Sequence, residues 1–152
     1  MILTLFIEFW VAFFATAAFA VLFNVPSRQW AFGGLTGGAG WVFYRYFAHM
    51  QGVVVATFIA VVVVTLLSRI FAVTRRSPVT VFLVAGIFPL VPGVGIYYTS
   101  YYFIMNEFSQ ASAKGVETLK VAMAITIGIM CVLMIPQKFF LLFDRKRTKL
   151  NT

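Results

Sequence analysis

The chain has 152 residues, 62% hydrophobic and 11% charged, with a mean hydropathy of +0.97 and a formal net charge of +8. A soluble domain is roughly 45–50% apolar and about 25% charged, and a body of this length cannot hide such an apolar excess from water. A soluble monomer and a disordered chain are therefore excluded, and an all-α integral membrane protein is expected, in which the +8 speaks to sidedness rather than to nucleic acid.

In chain order, five stretches reach the length and apolarity of a membrane span. They cover about residues 2–23, 30–48, 53–71, 79–105 and 116–135, followed by a basic interfacial tail over 136–152, all in one transmembrane domain. The first has no basic residue before it and is longer than a signal-peptide core, so it reads as a retained span although Ala18-Phe19-Ala20 resembles a cleavage site. Asn24-Val25-Pro26-Ser27 stops one helix and starts the next, with Ser27 available as a cap. Ser77-Pro78 sets a capping hydroxyl before a proline at a first helical position, and Pro136 ends or kinks the fifth span.

Sidedness follows from Lys and Arg. With the N-terminus outside, the inner side receives Arg28, Arg69, Arg75, Arg76, Lys138, Arg145, Lys146, Arg147 and Lys149, and the outer side Arg45, Lys114 and Lys120. Nine against three accounts for all 12 and predicts N-out, C-in. The loops are too short for a catalytic domain, so function must lie within or between helices.

The fourth stretch carries Gly86-Ile87-Phe88-Pro89-Leu90-Val91-Pro92-Gly93-Val94-Gly95. Two prolines and three glycines oppose a continuous helix, and the flanking halves are each about 15 Å long, which puts the break near the midplane. A midplane break builds a substrate site in many transporters. The second half offers free N–H groups around Gly93 to Tyr97 to a carboxylate, and the first offers carbonyls near Phe88 to an ammonium. The alternative is a structural kink packed on a neighbour. Candidate substrate-binding residues are Pro89, Pro92, Gly93, Gly95, Tyr97, Ser100 and Tyr101. The last three share a helix face by i, i+3, i+4 spacing, while Tyr102 reads as part of an aromatic belt.

Three carboxylates are candidates for proton or charge coupling: Glu8, Glu107 and Glu117. Glu8 lies about 10 Å into the first span, or at the outer interface if the helix starts late. Glu117 is spaced to pair with Lys120, and Arg45 and Arg69 are placed to snorkel. The glycine-rich run 33–40 lacks the features of a phosphate loop. Its Gly33/Gly37 and Gly34/Gly38 pairs, and Ala12, Thr16 and Ala20 of the first span, are packing stripes that call for a close helix partner, in this chain or another. Cys131 and His49 are each alone, so no disulfide, metal site or cofactor is expected, and no nucleophile–base pair points to an enzyme.

Residues 19–26 (FAVLFNVP), 34–41 (GLTGGAGW), 78–82 (PVTVF) and 89–97 (PLVPGVGIY), in this order and spacing, resemble the threonine/serine exporter family, specifically its C-terminal five-helix half. The resemblance implies a separate small subunit that works with a larger five-helix membrane subunit sitting inverted to it. It further implies export of small amino acids or small carboxylates, driven by the proton motive force across the cell (plasma) membrane. The expected partners are the lipid bilayer, that larger subunit and a small substrate bearing a carboxylate, with no nucleic acid. A structural subunit with the transport site in its partner, and a homo-oligomeric channel, are the other readings.

Overall fold

The structure, a computed structural model, describes residues 2–140. Six α-helices occupy those residues: α1 Ile2–Leu22, α2 Trp30–Gln51, α3 Val53–Arg75, α4 Val79–Ile87, α5 Gly93–Ile104 and α6 Phe108–Leu133. Short 3-10 turns over Ser27–Gln29 and Phe88–Leu90 link α1 to α2 and α4 to α5. The helices overrun the apolar windows. α2 continues to Gln51, α3 to Arg75, and α6 begins at Phe108, two turns before the expected 116, because polar residues at a membrane surface remain helical. By length and apolarity α1, α3 and α6 can each cross a membrane, and α4 with α5, bent by 48°, makes a fourth span. α2 has 22 residues, but its five glycines dilute its apolar character.

α2 is the centre of the packing, against α1, α3 and α4, while α6 packs on α3 and α5. The glycine run is where α2 meets its neighbours. A Cβ on Gly37 would fall onto Thr16, one on Gly34 onto Phe13, and one on Gly38 within 2.9 Å of the Phe9 ring. Ala12, Thr16 and Ala20 on the opposing face of α1 are buried. The two small-residue stripes thus satisfy one another inside the chain. On the far side Gly40 lies against Val64 of α3, and Gly86 of α4 fits beside Thr36 and Val64. The buried core beneath is Ala60, Val61, Val64, Leu83 and Leu90.

The helix ends are closed by local chemistry. Asn24 takes φ 55°, a left-handed conformation that asparagine tolerates, and its neighbour Val25 donates its N–H to Ala20 O. Ser27 and Ser77 cap no helix. The Ser77 hydroxyl donates to Arg75 O and accepts from Gln29 Nε2, and Arg75 Nε donates to Gln29 Oε1 at 3.2 Å. These bonds tie the α1–α2 turn to the α3–α4 turn and place Arg28, Arg75 and Arg76 at one end of the bundle. Arg69 does not snorkel. Its Nη1 donates to Val132 O at 2.7 Å and Ile135 O at 2.6 Å, and its guanidinium covers the Phe140 ring at 4.3 Å. A cation is thus fixed on the carbonyls at the end of α6, where the helix dipole favours it. The predicted tail cations Arg145, Lys146, Arg147 and Lys149 lie outside the described residues.

Two outcomes follow from this packing. Gly37→Ala forces a methyl into Thr16 and should lower stability by about 1–3 kcal/mol, whereas Gly33→Ala, whose Cβ meets Ala20 at an ordinary 3.7 Å, should be tolerated. Arg69→Leu removes the charged donor from the carbonyls at the end of α6 and should cost about 1–3 kcal/mol. Unfolding of the detergent-solubilised variants measures both.

Candidate functional site

The break forms where the prolines dictate. Pro89 enters the 3-10 turn, Val91 is extended (ψ 130°) as a residue before proline must be, and Pro92 starts α5. Three bonds stitch the turn: Val91 N–H to Phe88 O at 3.2 Å, Gly93 N–H to Val91 O at 2.8 Å and Ile96 N–H to Pro92 O at 3.0 Å. The expected free donors from Gly93 to Tyr97 therefore narrow to Val94 and Gly95, whose N–H groups gain no backbone acceptor among the described residues. Phe88 O is likewise engaged, and the Pro89 and Leu90 carbonyls are those left open.

The break also sits at half height. Leu90 packs with Ala60, Val61 and Val64, around the middle of the 23-residue α3, and beside Gly40 near the middle of α2. Beyond it α5 leans on α6 and buries none of its residues. Between α5, α6 and the α2–α3 pair lies a cavity of about 550 Å³. Residues 89–95 form its floor, the aromatic rings of Trp41, Tyr44, Tyr98 and Tyr102 wall it, and Thr57 and Thr118 add hydroxyls. Lys114 and Glu117 line it too, and the Lys114 ammonium meets Glu117 Oε2 at 2.9 Å.

Of the expected substrate residues, Pro89, Pro92, Gly93 and Gly95 line this cavity, whereas Tyr97, Ser100 and Tyr101 do not. Those three are exposed on the other face of α5, Tyr97 at 63%. The reason is rotational. Gly95 abuts Thr118 so closely that a Cβ would overlap its hydroxyl, and this rotation sets Tyr98 and Tyr102, rather than Tyr97 and Tyr101, along the cavity. Each face carries its own stacked tyrosine pair: the Tyr97 and Tyr101 rings are 6.3 Å apart, those of Tyr98 and Tyr102 6.0 Å.

The carboxylates separate. Glu117 lines the cavity and pairs with Lys114, which lines it too, rather than with Lys120, a correction of the expected partner that spacing could not make because both lysines lie three residues away. Glu107 caps the start of α6 through its backbone, accepting the Ala111 N–H on its carbonyl, and its side chain is exposed outside the cavity. Glu8 bridges Arg45 at 2.8 Å, so Arg45 is an ion-pair partner within the chain and not a snorkelling end. No group of His, Cys, Asp and Glu among the described residues is arranged to hold a metal. Trp41, Tyr44 and Thr57 were silent in the sequence, since nothing local says that residues from α2 and α3 face a break some 40 positions later.

The chain matches, over residues 8–135, the family described as Threonine/Serine exporter, ThrE. The match takes in all of the break and every residue named in the cavity wall. No curated protein and no solved structure matches the chain.

If the Gly95–Thr118 contact sets the rotation of α5, Gly95→Ala should destabilise the protein by about 1–3 kcal/mol. Thr118→Ala should recover most of that loss in the double variant, a non-additivity that thermal unfolding of the four proteins measures.

Proposed function

The chain belongs to the threonine/serine exporter family and is a multi-pass membrane transporter, and from that premise we propose that it exports a small amino acid, threonine- or serine-like, or a small carboxylate, through the cavity at the break. One observation carries this reading. The unpaired Val94 and Gly95 N–H groups, the open Pro89 and Leu90 carbonyls and the Lys114–Glu117 pair surround a single half-height cavity. A zwitterion needs donors for its carboxylate and acceptors for its ammonium within one small space. Here both arise from one chain discontinuity, where helix ends present them with the favourable dipole sign.

The finer assignments are proposals of the same kind. The chain spans the bilayer five times, with α2 as a span shielded by α1, α3 and α4 and with α4–α5 as the broken one. N-out, C-in orientation is supported by the gathering of Arg28, Arg69, Arg75 and Arg76 toward one end and of Arg45 and Lys114 toward the other. It resides in the cell membrane and works with a larger five-helix subunit. The open face of α5, with Tyr97, Ser100 and Tyr101, supports such a neighbour. The reading of a purely structural subunit loses its main support, because the small-residue stripes are consumed within the chain. Of the three carboxylates, Glu117 is the one proposed to couple transport to a proton, and its position in the cavity lining supports that reading.

Efflux of labelled threonine from preloaded cells tests the site. Gly93→Leu, at a position where a Cβ meets nothing within 4 Å, should fill the cavity and abolish efflux without loss of membrane insertion, as should Pro92→Leu. Tyr98→Ala should lower efflux about tenfold, the equivalent of some 1.4 kcal/mol, and Tyr97→Ala should change it less than about twofold. Unchanged efflux in the Gly93 and Pro92 variants would refute the site.

A further inference from the structure

Trp41 and Pro89 line two cavities at once. The first is the break cavity. The second, of about 560 Å³, lies between α1 and α2 and holds Glu8 and Arg45 among Ile7, Val11 and Ala15. The indole N–H is donated to Glu8 Oε2 at 3.3 Å, and the same oxygen receives Arg45 Nε at 2.8 Å. Glu8 and Arg45 do not line the break cavity, so whatever they do there passes through Trp41. They are the charged groups of the second cavity; Lys114 and Glu117 belong to the first, and His49, one turn beyond Arg45, is exposed.

Resting on the reading of the break cavity as a transport passage, we propose that Trp41 with Pro89 is the barrier between the two cavities and that Glu8 is the positioning residue that keeps it closed. In an apolar surrounding an indole N–H without an acceptor is costly, so the ring stays where the carboxylate is. Arg45 fixes that carboxylate, which would otherwise be a lone charge in a membrane helix. The pair is not needed to join α1 to α2, because Gly34, Gly37 and Gly38 already seat Phe9, Phe13 and Thr16. Pro89 supplies the other half of the partition and has no donor with which to hold the ring.

The full chain in a Trp10→Phe, Trp30→Phe background keeps Trp41 as its single tryptophan. Glu8→Ala should shift its emission to the red and raise its quenching by iodide. Glu8→Gln, which retains an acceptor oxygen, should restore both relative to Glu8→Ala. In cells expressing the chain, Trp41→Ala and Glu8→Ala should each admit labelled threonine down its gradient about tenfold faster than the wild type, and the double variant no faster than Trp41→Ala. Emission unchanged by Glu8→Ala overturns the positioning role, and Trp41→Ala without leak but with normal efflux overturns the barrier. Failure of the passage reading itself is recognised separately, by efflux that survives Gly93→Leu, and the emission spectra still decide whether Glu8 holds the indole.

Discussion

The close approach of α2 to its three neighbours is the constraint on which the remainder of the molecule depends. Side chains are absent from α2 at Gly34, Gly37, Gly38 and Gly40, and α4 contributes Gly86 at the same level. In a lipid-like surrounding apolar burial gives helices little reason to associate, so tight van der Waals contact between small residues has to supply it. Thr16, Thr36 and Thr65 turn their hydroxyls back onto carbonyls of their own helices, four residues earlier, so the dry interfaces carry no orphan polar side chain.

That rigid assembly makes the broken span tolerable. The core closes around Leu90 with Ala60, Val61, Val64 and Leu83, anchoring the turn at mid-height. α5 is then free to diverge by 48° and to rest on α6, which opens the cavity. The residues whose backbone groups Pro89 and Pro92 free line this cavity, a place where non-helical backbone at membrane depth can be tolerated. Packing and function are therefore the same problem here: the contacts that let the chain break also shape the space beside the break.

Charge is handled with similar economy. Of the three carboxylates singled out for coupling, Glu8 and Glu117 each have a cation at hydrogen-bonding distance, one on a neighbouring helix and one a turn earlier on the same helix. Among the described residues Arg69 meets helix-end carbonyls and no carboxylate. These choices could not be read from spacing alone. Glu117 lies three residues from both Lys114 and Lys120, and both partners satisfy the rule equally well. Arg45 finds Glu8 only because α1 and α2 run antiparallel through the glycine contacts.

Composition alone determined the membrane class, and Pro, Gly and Asn punctuation marked where helices stop, because both are local properties of the chain. The break at 88–92 was legible for the same reason: two prolines three residues apart, Pro89 and Pro92, forbid a continuous helix wherever they are placed. The rotation of α5 was not legible. Tyrosines recur at both 97/101 and 98/102, so helical period fits either face, and the choice falls to the single contact of Gly95 with Thr118. Which residues of α2 and α3 complete the cavity, and which cation answers Glu8, were likewise decided by tertiary structure, since helix-to-helix distance in space leaves no trace in sequence spacing.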